Sequence, residues 1–139
     1  MNSYKFIDIY EGLKESFSVC VNSEKLDKFL EISGDINPLH SDTKYSSLKG
    51  FSGKVVYGML TSSFYSTLVG VYLPGKYCIL QGINIQFSHP VYVDDILTIT
   101  GKVSHINEAY KQLEIKAIIM NQKNIKVSKA TIKVGVIDE

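Results

Sequence analysis

The chain has 139 residues, and its 15 basic and 14 acidic residues leave a formal net charge of +1. This length predicts one domain over residues 1–139, and the balanced charge excludes a nucleic-acid surface built on a basic stripe. The two cysteines, Cys20 and Cys78, lie far apart in apolar stretches. That spacing excludes a disulfide scaffold and a paired-cysteine metal site, so we expect two buried, reduced thiols and no bound metal.

The first half of the chain predicts a strand, a helix, a polar loop and a long uncharged helix. Residues 16–22 alternate as a strand does, and Ser23 is predicted to cap a helix that Gly34 ends. A polar loop follows, with a helical turn near residues 45–48. Residues 57–72 are predicted to form the uncharged helix, which Pro74 and Gly75 end.

The uncharged segment, residues 55–73, is nearly long enough to cross a bilayer. Its five serines and threonines and three tyrosines suit lipid poorly, so we predict a helix buried on nearly all sides and no membrane partner. The N-terminal residues lack the apolar run and cleavage site of a signal peptide. The expected location is therefore the cytoplasm.

The second half of the chain changes to a period of two. Residues 76–91 predict a strand with a bulge at Gly82, and residues 96–106, 110–120 and 125–137 predict three further strands. Short turns join the last three, which favours an antiparallel meander. The order of elements predicts an α+β fold in which an antiparallel β-sheet wraps around one long central α-helix.

The segment SGDINPLHSD, residues 33–42, carries the most distinctive chemistry. Asp35 and His40 would lie about 140° apart on a continuous helix, but Pro38 disfavours helix at Asn37 and predicts a turn. A turn can bring a carboxylate and an imidazole to one side of a cleft, where burial would favour proton transfer near neutral pH. The alternative is that Asp35 caps the next turn and His40 is an ordinary surface residue.

Gly58 stands at the predicted start of the long helix. Glycine is a poor helix former, but a free N–H at the positive end of a helix can stabilise a developing enolate oxygen. The alternative is a glycine that only allows close helix packing. An acid, an imidazole and a candidate oxyanion donor within about 25 residues form a more specific set than any one of them.

Four segments, SGDINPLHSD, VVYGML, LPGKY and FSHPVYVDD, occur in an order and spacing that resembles the MaoC-like, (R)-specific enoyl-CoA hydratases. The resemblance implies a single hotdog fold, usually dimeric, and a hydro-lyase of fatty-acid metabolism that hydrates trans-2-enoyl-CoA to (3R)-hydroxyacyl-CoA. It implies that Asp35 is the base for water, that His40 holds water and shuttles the C2 proton, and that the Gly58 amide binds the thioester oxygen. Asn37 would orient the loop, and Ser66 matches a serine near the family's active site.

The reaction implied by the resemblance needs no cofactor, because the thioester itself acidifies C2. The sequence departs from the family motif at Tyr57, which replaces a histidine, at Lys54 and at Asp94. Tyr57 would add a hydroxyl and bulk near the pocket mouth, as a substrate-binding residue. His89 and His105 are expected to be structural.

Two alternatives to the CoA hydratase stay open at this point. One keeps the chemistry and changes the carrier, which gives a 3-hydroxyacyl-[acyl carrier protein] dehydratase. The other keeps the fold and changes the reaction, which gives an acyl-CoA thioesterase or a non-catalytic acyl-thioester sensor. The intact acid and imidazole pair argues against a sensor.

Overall fold

The computed structural model describes all 139 residues as five strands and four α-helices, with two shorter helical turns. A 3-10 turn, Phe6–Asp8, precedes strand β1. The remaining elements, in chain order, are β1 Lys14–Cys20, α1 Ser23–Ser33, α2 Pro38–Ser41, α3 Thr43–Leu48, α4 Gly58–Thr67 with a π-helical turn Leu68–Tyr72, β2 Cys78–Phe87, β3 Ile96–Asn107, β4 Gln112–Met120 and β5 Lys126–Val136.

All five strands pair antiparallel in one sheet, in the order β1-β3-β4-β5-β2. The meander of β3, β4 and β5 is confirmed, and so is the bulge, since the β2 register shifts between Leu80 and Gly82. Strand β2 follows the helix in the chain and forms one edge of the sheet. The predicted α+β hotdog architecture is confirmed.

The core lies between α4, with its π-helical turn, and the sheet. Tyr65 and Leu68 from the helical segment and Ile99, Ile115 and Ile132 from the strands are fully buried. The helix approaches the sheet closely at Gly101 of β3, where an added Cβ would lie 2.7 Å from Leu68 Cδ2. Glycine at this position lets the end of the helical segment pack directly on the strand.

Two local predictions were wrong, and a third holds in part. Asn22, not Ser23, caps α1, because its side chain accepts a hydrogen bond from the Lys25 N–H. Cys20 is exposed, because it ends β1 on the outward face of an alternating strand. Cys78 is partly buried, and burial raises the pKa of its thiol to about 11.

The long helix is also less enclosed than predicted. One face of α4 carries Met59, Ser63 and Ser66, all exposed in the single chain, while Leu60, Phe64 and Tyr65 face the core. The sheet of one chain covers one side of this helix, so the absence of charge on the other side needs a separate explanation.

No helix in the structure has the length and apolar character that a bilayer crossing requires. Most of the uncharged segment forms the ten-residue α4 and its π-helical turn, which ends at Tyr72. The expected cytoplasmic location stays a prediction.

Candidate active site

The segment between α1 and α2 is shaped by its own side chains. Gly34 ends α1 in the left-handed conformation, with φ of 68°, which a glycine adopts without strain. The Asn37 N–H then donates to Asp35 Oδ1 at 3.1 Å, and the Leu39 N–H donates to Asn37 Oδ1 at 2.9 Å. Pro38 is the first residue of α2, where its missing N–H costs nothing. The predicted turn at Asn37-Pro38 therefore leads into a helical turn, where a loop was expected.

His40 lies at the end of this turn and is held by two contacts. Its Nδ1 lies 2.6 Å from the Val55 carbonyl oxygen, and its ring stacks on Tyr57 with a centroid separation of 4.1 Å. A carbonyl oxygen can only accept a hydrogen bond, so the Nδ1 atom carries the proton. The Nε2 atom of the neutral ring is then a hydrogen-bond acceptor. In this state it can hold a water molecule or take a proton.

Tyr57 connects the imidazole to the acidic residue. Its hydroxyl donates to the Asp35 carbonyl oxygen at 3.0 Å, and its ring also contacts Phe29 of α1, with centroids 4.9 Å apart. The residue is only 3% exposed. Burial, followed by the negative charge of Asp35, raises the pKa of this phenol above its usual value. The hydroxyl therefore stays protonated, and remains a hydrogen-bond donor, at neutral pH.

Gly58 begins α4 as predicted, and its N–H has no acceptor within the chain. The Gly58 carbonyl accepts hydrogen bonds from the Thr61 and Ser62 hydroxyls, at 2.7 and 2.8 Å. The ring of Phe87, at the end of β2, lies over Gly58, so an added Cβ would be 3.1 Å from Phe87 Cε1. The first turn of a helix combines free N–H groups with a positive dipole end, which suits an oxyanion.

Two cavities meet at His40. One, of about 280 Å³, is lined by His40, Gly58, Thr61, Phe87 and His89, among others. The other, of about 510 Å³, lies on the α1 side of the same imidazole and is lined partly by Asp27, Lys54 and Tyr57. The smaller cavity brings together the predicted imidazole and the predicted oxyanion donor.

Three of the other predicted site residues, Asp35, Asn37 and Ser66, lie outside these two cavities. Asp35 is exposed in the single chain, so the burial expected for this acid is wrong there, and it lines neither cavity. Asn37 orients the loop through the two hydrogen bonds described above. Ser66 is exposed about two turns along α4 from Gly58. Tyr57 lines the larger cavity, but its hydroxyl is bonded to Asp35.

Three further residues at the site were not predicted from the sequence. The Val55 carbonyl orients His40, Phe87 covers Gly58, and His89 lines the smaller cavity with its Nδ1 3.1 Å from the Lys126 carbonyl oxygen. The pattern His89-Pro90 after a strand was the one available signal. No three His, Cys, Asp or Glu side chains come together in a way that could hold a metal ion.

The chain is similar in sequence to known proteins of one family. Residues 8–128 match the family described as "MaoC like domain". The chain belongs to this family. It is 35% identical over 97 residues to the (R)-specific enoyl-CoA hydratase of Aeromonas caviae, a match that covers 70% of this chain and 72% of that one. It is 31% identical over 99 residues to the enzyme of the same name from Rhodospirillum rubrum, with 71% and 69% covered.

Solved structures show the same fold. The (R)-hydratase of A. caviae superposes with a TM-score of 0.88 at 29% identity, covering 92% of this chain and 97% of that one. An R-hydratase of Pseudomonas aeruginosa superposes with a TM-score of 0.90 at 24% identity, covering 97% and 86%, and shows the shared fold. The chain is therefore a member of a hydratase and dehydratase family, whose chemistry is that of a hydro-lyase.

Proposed function

We propose that this MaoC-like protein catalyses the reversible hydration of trans-2-enoyl-CoA to (3R)-hydroxyacyl-CoA. The observation that carries the proposal is the orientation of His40. Its Nδ1–H is bonded to the Val55 carbonyl, and its ring lines the same cavity as the free N–H of Gly58. An acceptor nitrogen and an oxyanion donor at one cavity are what addition of water beside a thioester needs.

Each residue of the site has a proposed role in the reaction. From the match to the family motif, we infer that Asp35 and His40 together take one proton from water as its oxygen bonds to C3, and return one proton to C2, so the protein ends in its starting state. The Gly58 N–H stabilises the charge that develops on the thioester oxygen in between. Asn37 holds the Asp35 carboxylate through its backbone N–H. The roles of Tyr57 and Ser66 in binding substrate stay predictions.

Loss of the enoyl absorbance with crotonyl-CoA tests this proposal. We expect Asp35→Asn and His40→Ala each to lower kcat by roughly 100-fold or more, the usual contribution of a general acid or base. His105→Ala is the matched control, because this exposed imidazole in β3 lies outside both cavities. Wild-type rates in Asp35→Asn and His40→Ala would overturn the proposal. Chiral analysis of the product tests the (3R) configuration.

A second candidate function is the same reaction on an acyl group attached to a different carrier. A mitochondrial 3-hydroxyacyl-[acyl-carrier-protein] dehydratase of Arabidopsis thaliana is 35% identical over 74 residues, which cover 53% of this chain and 43% of that one. The same residues could act on an acyl group attached to acyl carrier protein. Comparing kcat/KM for crotonyl-CoA and for crotonyl acyl carrier protein separates the two carriers. Release of free thiol without hydroxyacyl product would indicate a thioesterase instead.

We also propose that the protein is a homodimer assembled through β2. This edge strand has one paired neighbour, and Ile79, Leu80, Ile83 and Phe87 along it are all more than 40% exposed. A long apolar edge beside the uncharged outer face of α4 is typical of a surface that a second copy covers. Because Phe87 also covers Gly58, this interface would adjoin the cavity.

Sedimentation velocity tests the dimer. Ile83→Lys places a charge on the proposed interface and is expected to give monomers at micromolar concentration. Tyr110→Lys is the control, because Tyr110 is 75% exposed in the turn between β3 and β4. A dimer that survives Ile83→Lys, or that Tyr110→Lys dissociates equally, would contradict an interface at β2.

A further inference from the structure

We infer that Tyr57 is a positioning residue that holds both members of the acid and imidazole pair, an inference that rests on the proposed function. The segment that carries Asp35 is otherwise weakly attached, since residues 31–38 are all exposed. The other hydrogen bonds of Asp35 reach only Ser33 and Asn37, its near neighbours in the chain. The Tyr57 hydroxyl donates to the Asp35 carbonyl, and this is the one hydrogen bond that links Asp35 to the buried part of the molecule.

The Tyr57 side chain also fixes the His40 imidazole, through its ring. The Val55 carbonyl determines the direction of His40 Nδ1, but one hydrogen bond leaves the ring free to tilt about it. The Tyr57 ring, stacked at 4.1 Å with 30° between the planes, removes that freedom. Contact with Phe29 fixes the Tyr57 ring in turn against α1.

Tyrosine suits this position for a chemical reason. A histidine at position 57 would place a second imidazole, which titrates near neutral pH, against His40. The buried phenol stays uncharged there and keeps its proton for the Asp35 carbonyl. Its ring and its hydroxyl act on different partners, so the two contacts can be removed one at a time.

Three variants separate the contacts. Tyr57→Phe removes only the hydrogen bond to Asp35, whereas Tyr57→Leu removes the hydrogen bond and the stack on His40. Tyr65→Phe is the matched control, because it removes another buried hydroxyl, one that lies 2.6 Å from Ser128 Oγ and outside both cavities. Hydration of crotonyl-CoA gives kcat and KM for each variant, and thermal unfolding gives its Tm.

We expect Tyr57→Phe to lower kcat about 10-fold and Tyr57→Leu about 100-fold, with KM within about twofold of wild type, because positioning of reacting groups acts on the transition state. Tyr65→Phe should lower Tm and leave kcat unchanged. Wild-type kcat in Tyr57→Phe would overturn the role of the hydrogen bond to Asp35, and wild-type kcat in both Tyr57 variants would overturn the whole inference. An equal loss of kcat in Tyr65→Phe would also overturn it, because general destabilisation would then explain the effect.

Imidazole NMR supplies a measurement that does not depend on activity. The chain has three histidines, and His40→Ala identifies the His40 signals. The stacked ring should shift these signals upfield in wild type and in Tyr57→Phe, and the shift should vanish in Tyr57→Leu. Equal His40 signals in all three proteins would refute the stack. If wild type fails to hydrate crotonyl-CoA, the proposed function fails, and these spectra alone decide whether Tyr57 holds His40.

Discussion

Replacing Gly58 with alanine tests whether the space beside this residue belongs to the substrate. The substitution keeps the N–H and adds one methyl group, 3.1 Å from Phe87 Cε1 and 3.2 Å from Phe87 Cζ. The Phe87 ring must move by a few tenths of an ångström, which costs little because the contacting atoms are the far end of a side chain and not backbone. Alanine is also the better helix former, by up to about 1 kcal/mol. The two effects oppose each other, so we expect a Tm within about 4 °C of wild type.

Activity should respond differently from stability. A methyl group beside the oxyanion donor displaces the thioester, and a displacement of about 1 Å can cost about 100-fold in rate. We therefore expect kcat/KM for crotonyl-CoA to fall by about 10-fold to 100-fold in Gly58→Ala. A variant with wild-type kcat/KM would refute the placement of the thioester at Gly58, because the added methyl group could not then lie in its path.

Gly101→Ala is the matched control for Gly58→Ala. Its methyl group would lie 2.7 Å from Leu68 Cδ2 and 3.2 Å from Ile115 Cγ2, inside the core. Overpacking of this kind costs about 1–3 kcal/mol, or roughly 3–10 °C in Tm for a chain of this size. The same chemical change should therefore reduce stability at Gly101 and reduce activity at Gly58.

Two further predictions concern ionisable groups. The Phe6 N–H donates to Asp138 Oδ2 at 2.7 Å and lowers the pKa of this carboxyl, with Lys111 nearby. The stabilisation is complete above the unfolded-state pKa of about 3.9 and disappears as pH falls through the lower folded-state value. The Tm difference between wild type and Asp138→Asn should therefore be largest near neutral pH and vanish in strong acid; a constant difference would contradict this. For the thiols, a disulfide reagent at pH 8 should label Cys20 quickly and Cys78 only slowly, because burial holds the Cys78 pKa at about 11. Fast labelling that survives Cys20→Ser would contradict it.

The sequence predicted the fold well because its signals are local and repeated. The alternation in β3, β4 and β5 extends over 9 to 12 residues per strand, and short turns leave one arrangement for neighbouring strands. Gly34 and Gly58 marked the end of α1 and the start of α4 correctly. The sequence did not predict the helical turn at Pro38, because proline disfavours helix before itself and favours it after, and no local signal shows which effect prevails.

The site was harder to predict because it depends on contacts between distant segments. The motif indicated Asp35 and His40, but the hydrogen bond from His40 to Val55 spans 15 residues, and that from Tyr57 to Asp35 spans 22. Phe87 contacts Gly58 because β2, which carries Phe87, pairs at the edge of the sheet. No spacing rule predicts such contacts. The exposed face of α4 was not predicted for a related reason. The absence of charged residues does not show whether the chain's own sheet or a partner molecule covers a helix.

The bond between His40 and Val55 also affects how this site can be recognised in other sequences. In many hydrolases a carboxylate orients the imidazole, and the acidic residue is then visible in the sequence. Here a main-chain oxygen orients it, and every amino acid supplies one. Position 55 is thus free to change its side chain while the path of the backbone keeps the ring in place. A search for an orienting acid would overlook such a site, whereas a comparison of backbone traces would detect it.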